Sequence, residues 1–262
     1  MNPLVRAYLD LRNSLDLGLR NLFTWSPSAQ EVAEANDGVP EAGWSAPYEL
    51  EEARKRMAAW RWTRNLAFLE VLDGAGGHPR FQAFLASRTT LRALDIGSKN
   101  FDYVDALAGF LSRAAGLRQL TLTGIEIDAH RRYTDFRTRR AWAEHYCSFV
   151  PGARYLAQGL EDHQETYDVV IWFLPFLTER PLVRWGLPTS LLRPETLYDH
   201  AWTLVEPGGV LLLVNLNADE EAIQLDLIRR RGHSHEALGP IRSTHIPERR
   251  DQRLTLVWKD PR

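Results

Sequence analysis

Leu91-Arg-Ala-Leu-Asp-Ile-Gly97 is the stretch on which the fold turns. Leu91, Ala93, Leu94 and Ile96 make an apolar run of strand length, and Gly97 breaks it. Ser98, Lys99 and Asn100 then lead into a helical pattern in which Phe101, Val104, Leu107, Leu111 and Ala114 share one face, closed by Gly116. Asn100 has the side chain of an N-cap, and Asp102 suits a first turn. The stretch therefore predicts a buried strand, a turn and a helix.

The same alternation continues downstream. Strands are expected at Leu120–Glu126, near Arg154–Ala157, at Tyr167–Phe173 and at Val210–Val214. Helices are expected at about Ala129–Phe149, Glu195–Leu204 and Asp219–Arg231. Strands alternating with helices predict a parallel α/β sheet. Two last strands, near Ile241–His245 and Leu254–Trp258, are joined by a link too short for a helical crossover, so they should pair antiparallel. Upstream the pattern is helical. One helix should cover Pro3–Phe23 and another Glu49–Asp73, where Ala58, Trp62, Leu66, Leu69 and Leu72 form a stripe ended by Gly74, Gly76 and Gly77. Between them Ser26–Pro47 reads as a loop. The chain divides accordingly into an N-terminal helical cap, 1–88, and an α/β domain, 89–262.

Composition narrows the class. Of 262 residues, 44% are hydrophobic and 25% charged, enough to bury a full core, and the net charge of −2 gives no field favouring nucleic acid or a membrane. Cys147 is the only cysteine, which excludes an internal disulfide and a cysteine metal cluster. The first residues lack the apolar segment of a signal peptide, and no apolar run approaches the roughly 20 residues of a spanning helix. A cytoplasmic protein is expected.

Ligands of open parallel sheets bind beyond the carboxyl ends of the strands. The residues there are Asp95, Gly97, Ser98, Lys99 and Asn100 after the first strand and Glu126 after the second. A carboxylate in the latter place can accept hydrogen bonds from both vicinal hydroxyls of a ribose. Leu94-Asp-Ile-Gly97, Gly124-Ile-Glu-Ile-Asp128, Tyr167-Asp-Val-Val-Ile171 and Leu204-Val-Glu-Pro-Gly-Gly209 before Val210–Val214, with the terminal hairpin, together resemble the class I S-adenosylmethionine-dependent methyltransferase family over residues 89–262. The resemblance implies a Rossmann-like, seven-stranded, mostly parallel sheet. It implies S-adenosylmethionine as cofactor and S-adenosylhomocysteine as product. Asp95 would lie under the methionine part, Gly97 and Ser98 close to it, Glu126 on the ribose, Ile127 on the adenine and Asp162, or its neighbour Glu161, at the adenine amino group. Trp172 also falls in the implied cofactor site. The family's second loop glycine is Lys99 here, whose side chain either crowds the cofactor or brings an ammonium to its carboxylate.

The implied acceptor pocket lies beyond the fourth strand, at Trp172–Phe176, which lacks the family's Asn-Pro-Pro-Tyr of amide- and base-methylating branches. A small organic acceptor is expected. Thr178–Pro194, with Arg180, Arg184, Trp185 and Arg193, could close over it, and Tyr198 and His200 are candidate bases. The arginines at 131, 132, 137, 139 and 140 read as a solvated helix face, and His233 with His235 lacks a third metal ligand. A non-catalytic cofactor-binding or scaffold protein is the alternative; an aminopropyl transferase is disfavoured, since that family's first loop is richer in glycine.

Overall fold

A computed structural model describes residues 3–23, 48, 50–113, 116–241, 245 and 251–261. Seven strands form one sheet: β1 (Thr90–Ile96), β2 (Gln119–Ile125), β3 (Ala153–Leu156), β4 (Tyr167–Phe173), β5 (Val205–Asn215), β6 (Ser234–Ile241) and β7 (Gln252–Trp258). The order is β3-β2-β1-β4-β5-β7-β6, and β7 alone runs against its neighbours. The mostly parallel sheet and the antiparallel hairpin are as the sequence predicts. The order reverses between β1 and β4, which opens a crevice beyond their carboxyl ends.

The period of two along each strand sorts its side chains into two cores. Val169, Ile171, Val210, Leu212 and Val214 face one; Val170, Trp172, Leu211 and Leu213 face the other. Helices α3 (Ala59–Gly76), α4 (Pro79–Ala86), α5 (Val104–Ser112) and α6 (Arg139–Cys147) contribute to the first core. Helices α8 (Pro194–Thr203) and α9 (Ala218–Arg230) cover the second. Trp62 and Leu66–Leu72 of α3 thus share a core with β1 and β7. Cys147 is buried there, its thiol pushed up to about 12 by desolvation.

The Pro-Gly-Gly turn lies inside β5 as a bulge. Tyr167 pairs with Val205 and Val169 with Val210, so four residues oppose one. Gly208 has φ +77, and a Cβ on Gly209 would lie 2.7 Å from the Asp168 carbonyl, so both glycines are required.

Several expected elements differ. The helix of 49–73 is two, α2 (Glu51–Lys55) and α3, because Ala58 is extended. Gly74 lies within α3. The helix of 129–149 begins only at Arg139, where the Thr138 hydroxyl accepts from Ala141 N–H. The sixth strand ends at Ile241 instead of beginning there. The loop 26–47, Ala114 and most of the link between the last strands fall outside the described residues.

Helix α1 (Pro3–Phe23) and α7 (Glu179–Arg184) complete the structure. One face of α1, Arg6, Asp10, Asn13, Leu17 and Arg20, lies on the segment after β4. Arg6 pairs with Glu179, the Asp10 carboxylate accepts from Thr189 N–H, and the Asn13 amide donates to the Leu187 carbonyl at 3.0 Å. Leu17 packs with Leu182 and Leu187. The opposite face leaves Tyr8, Leu11, Leu15 and Leu22 exposed.

Candidate functional site

Gly97, Lys99 and Phe101 have φ values of +74, +56 and +53. Three alternate left-handed residues coil the loop after β1 tightly; two of them carry side chains, at a cost of about 1–2 kcal/mol each. This coil rules out Asn100 as N-cap. The helix starts at Val104, after the chain has left the left-handed region, with Tyr103 at the cap position.

The coil is fixed from below. Gly97 and Ser98 donate their N–H groups to the Ile125 carbonyl at 2.9 and 3.0 Å. The Phe101 ring and Ser98 hydroxyl lie on Gly124 of β2, where a Cβ would approach them to 2.8 and 2.7 Å. Gly124→Ala is expected to cost about 1–3 kcal/mol by overpacking, read by urea unfolding; an unchanged midpoint would contradict this packing.

Glu126 ties the loop after β1 to the end of β2. Its two carboxylate oxygens accept from Lys99 N–H at 2.9 Å and Asp128 N–H at 2.8 Å. A carboxylate offers about four acceptor sites, so two remain for a ligand. Asp128, 1% exposed, gathers three guanidinium groups: Arg20 at 3.1 Å, Arg139 at 3.3 Å and Arg131. Arg131 and Arg139 therefore do not belong to a solvated helix face, as their run of charge suggested; the buried acid at 128 draws them inward. The Trp185 ring has both the Arg139 guanidinium, 5.3 Å from its centroid, and the Lys99 ammonium, 5.5 Å away, in cation–π range. The segment after β4 thus reaches the two loops that follow β1 and β2, and α1 holds it there.

Asp95 is fully buried and accepts from the Tyr103 hydroxyl at 2.7 Å. Its Oδ1 and the Asn100 Oδ1 lack hydrogen-bond partners among the described residues. Burial, opposed by the Tyr103 and Ser98 hydroxyls and reinforced by the Glu126 charge, pushes the Asp95 carboxyl up to about 7. With its folded value raised, Asp95 favours the fold at low pH and loses that contribution as pH rises through about 7.

Half-buried Ile127 and exposed Asp162 meet beside Gly159: a Cβ there would lie 3.5 Å from both Ile127 Cδ1 and Asp162 Oδ2. Glu161 pairs with Arg193, which leaves Asp162 beside Ile127. The structure brings Asp95, Gly97, Ser98, Lys99, Asn100 and Glu126 into one loop cluster, with Ile127 and Asp162 on its β3 side. Trp172 is 7% exposed in the opposite core, with Ile96 and Leu213 as strand neighbours. The side chains of Tyr198 and His200 bond His233 and the His163 carbonyl. Among the described residues no cluster of three metal-ligating side chains occurs, and no helix is long and apolar enough to cross a membrane.

Sequence reasoning missed Arg20 and Tyr103. Arg20 gave no signal, since its partner is 108 positions away. Tyr103, eight residues after Asp95, lies off the apolar stripe of the helix and carries no signal in the sequence.

No protein-family model matches the sequence, and no curated protein does. Solved structures do. A Listeria monocytogenes protein assigned to the class I S-adenosylmethionine-dependent methyltransferases aligns with a TM-score of 0.50 and 14% identity, over 72% of this chain and 60% of its own. This chain therefore spans less than two thirds of that protein. Magnesium protoporphyrin IX methyltransferase of Synechocystis PCC 6803 aligns at 0.46 and 14% identity over 99% and 100%. An rRNA methylase of Streptococcus thermophilus aligns at 0.43 and 13% over 68% and 93%. Given the strand order and the Listeria alignment, the chain has the fold of the class I S-adenosylmethionine-dependent methyltransferases.

Proposed function

We propose that the protein binds S-adenosylmethionine at the carboxyl ends of β1 and β2 and passes its methyl group to a small organic acceptor. The observation that carries this reading is the coiled loop 97–101 bonded to Glu126, beside the orphaned Asp95 Oδ1. These groups fit the cofactor's chemistry. Asp95 offers a buried acceptor to an ammonium. The α5 N-terminus favours a carboxylate. The spare acceptor sites of Glu126 suit two vicinal hydroxyls, and Ile127 with Asp162 offers an apolar face and an acceptor to an adenine amino group. Trp172, at the end of β4, packs beside Ile96 in the core on the other face of the sheet.

The cofactor supplies an activated sulfonium methyl, so the chain's residues have to bind, orient and exclude water. Such alignment is worth roughly 7–11 kcal/mol in favourable cases. Trp185 and α1, from the N-terminal 88 residues, cover the loops and keep water out. Phe173, at the end of β4, meets Phe68 and Tyr103 edge-on at 4.8 and 5.9 Å between centroids, an apolar wall suited to an organic acceptor. The near-neutral charge supports an acceptor other than nucleic acid, and a cytosolic location suits this cofactor.

Calorimetric titration with S-adenosylhomocysteine tests the reading. Saturable binding and thermal stabilisation are expected. No heat and no stabilisation at millimolar ligand would remove it, and RNA binding that falls steeply with salt would replace the small acceptor.

A further inference from the structure

Tyr103 has so far served only as a neighbour of Asp95 and one ring of the apolar wall, yet its surroundings are unusual. It is buried, and its ring stacks on Phe68 with centroids 3.8 Å apart and planes within 10°. Phe101 and Phe173 meet it edge-on at 5.8 and 5.9 Å. Three aromatic neighbours from α3, the β1 loop and β4 therefore fix the ring, and its hydroxyl reaches one oxygen of Asp95. The other oxygen, fully buried, has no partner among the described residues. A carboxylate bonded on one side and bare on the other is set to receive a cation on the bare side.

We propose that Tyr103 is a positioning residue of this site: its hydroxyl holds the Asp95 carboxylate with one oxygen presented to the ligand's ammonium, and so makes ligand capture depend on pH. The inference rests on the cofactor reading above. The groups that act on Asp95 are few. The Ser98 hydroxyl comes from its own loop, the Glu126 carboxylate from β2 and Tyr103 from the start of α5; α3 and β4 present the apolar rings of Phe68 and Phe173 to Tyr103. Asp102 and Arg64 act on Tyr103 from further out. Desolvation and the Glu126 charge favour the protonated acid, and the two hydroxyls favour the ionised form. Protonated Asp95 has no charge to offer an ammonium. Affinity should therefore rise with pH through about 7, until the ligand's own amino group loses its proton near pH ~8.

The experiment measures S-adenosylhomocysteine affinity from pH 5.5 to 8.5 for the wild type, Tyr103→Phe and Asp95→Asn, with a carbon-13 NMR titration of the Asp95 carboxyl in the free protein. Phenylalanine keeps the ring stack and removes only the donor. The low-pH limb and the Asp95 midpoint should both move up by about one pH unit in Tyr103→Phe. Its affinity should be about tenfold weaker than wild type at pH 6.5 and close to wild type at pH 8.5. Asp95→Asn should lose the limb altogether. Equal weakening at every pH, or an unmoved Asp95 midpoint, would overturn the inference and leave the cofactor reading standing. A wild type that binds no ligand at any pH overturns both.

Discussion

Replacing Asp128 with alanine is expected to destabilise the folded protein by about 3–5 kcal/mol, the cost of breaking a buried ion pair from one side. Asp128 is 1% exposed and is shared by Arg20, Arg131 and Arg139, of which Arg20 and Arg139 are also buried. Without the carboxylate, three guanidinium groups are left with Glu126, 3.8 Å from Arg139, to balance them. Truncating one arginine should cost less, since two cations remain on the acid. Urea unfolding of Asp128→Ala reads the effect, and limited proteolysis should show α1 released, because Arg20 is its link to the β2 loop. A loss below about 1 kcal/mol would mean that the cluster behaves as a surface ion pair.

Glu126→Ala should weaken S-adenosylhomocysteine binding by roughly ten- to a hundred-fold, from about 1.5–3 kcal/mol for hydrogen bonds to a charged group. The same change removes the acceptor of Lys99 N–H and Asp128 N–H, so the left-handed coil at 97–101 keeps its two bonds to Ile125 but loses its third tie to the end of β2. Glu126→Gln keeps an acceptor oxygen and should lie between. Unchanged affinity in folded Glu126→Ala would place the ribose elsewhere.

The parts of the fold that were legible are those whose evidence is local. The β1 run, the Gly97 break and the apolar run of Tyr167–Phe173 are written in residue order, and the strand ends fix where Asp95 and Glu126 stand. The failures have separate causes. Ala129–Phe149 carries good helix formers, but Asp128 pulls Arg131 and Arg139 inward and Thr138 offers a cap, so the helix waits until Arg139. Arg56–Ala58 has no local breaker, yet Ala58 is extended and lets α2 and α3 take separate directions. β6 was placed too late because it is an edge strand whose burial alternates weakly and whose register shifts between Ala237 and Gly239. Within the site, the acids were visible from their place after the strands. Tyr103 was not, since its bond to Asp95 exists only because Lys99 and Phe101 adopt a backbone that their side chains disfavour.

The central claim is that the loops after β1 and β2 form one cofactor site. A crystal structure grown with S-adenosylhomocysteine tests it most directly. The predicted result is ligand density beyond the carboxyl ends of β1 and β2, with both ribose hydroxyls on Glu126, the adenine on Ile127 beside Asp162 and the ammonium at Asp95. Density at any other place on the molecule, or a saturated crystal in which Glu126 contacts no ligand, would contradict it.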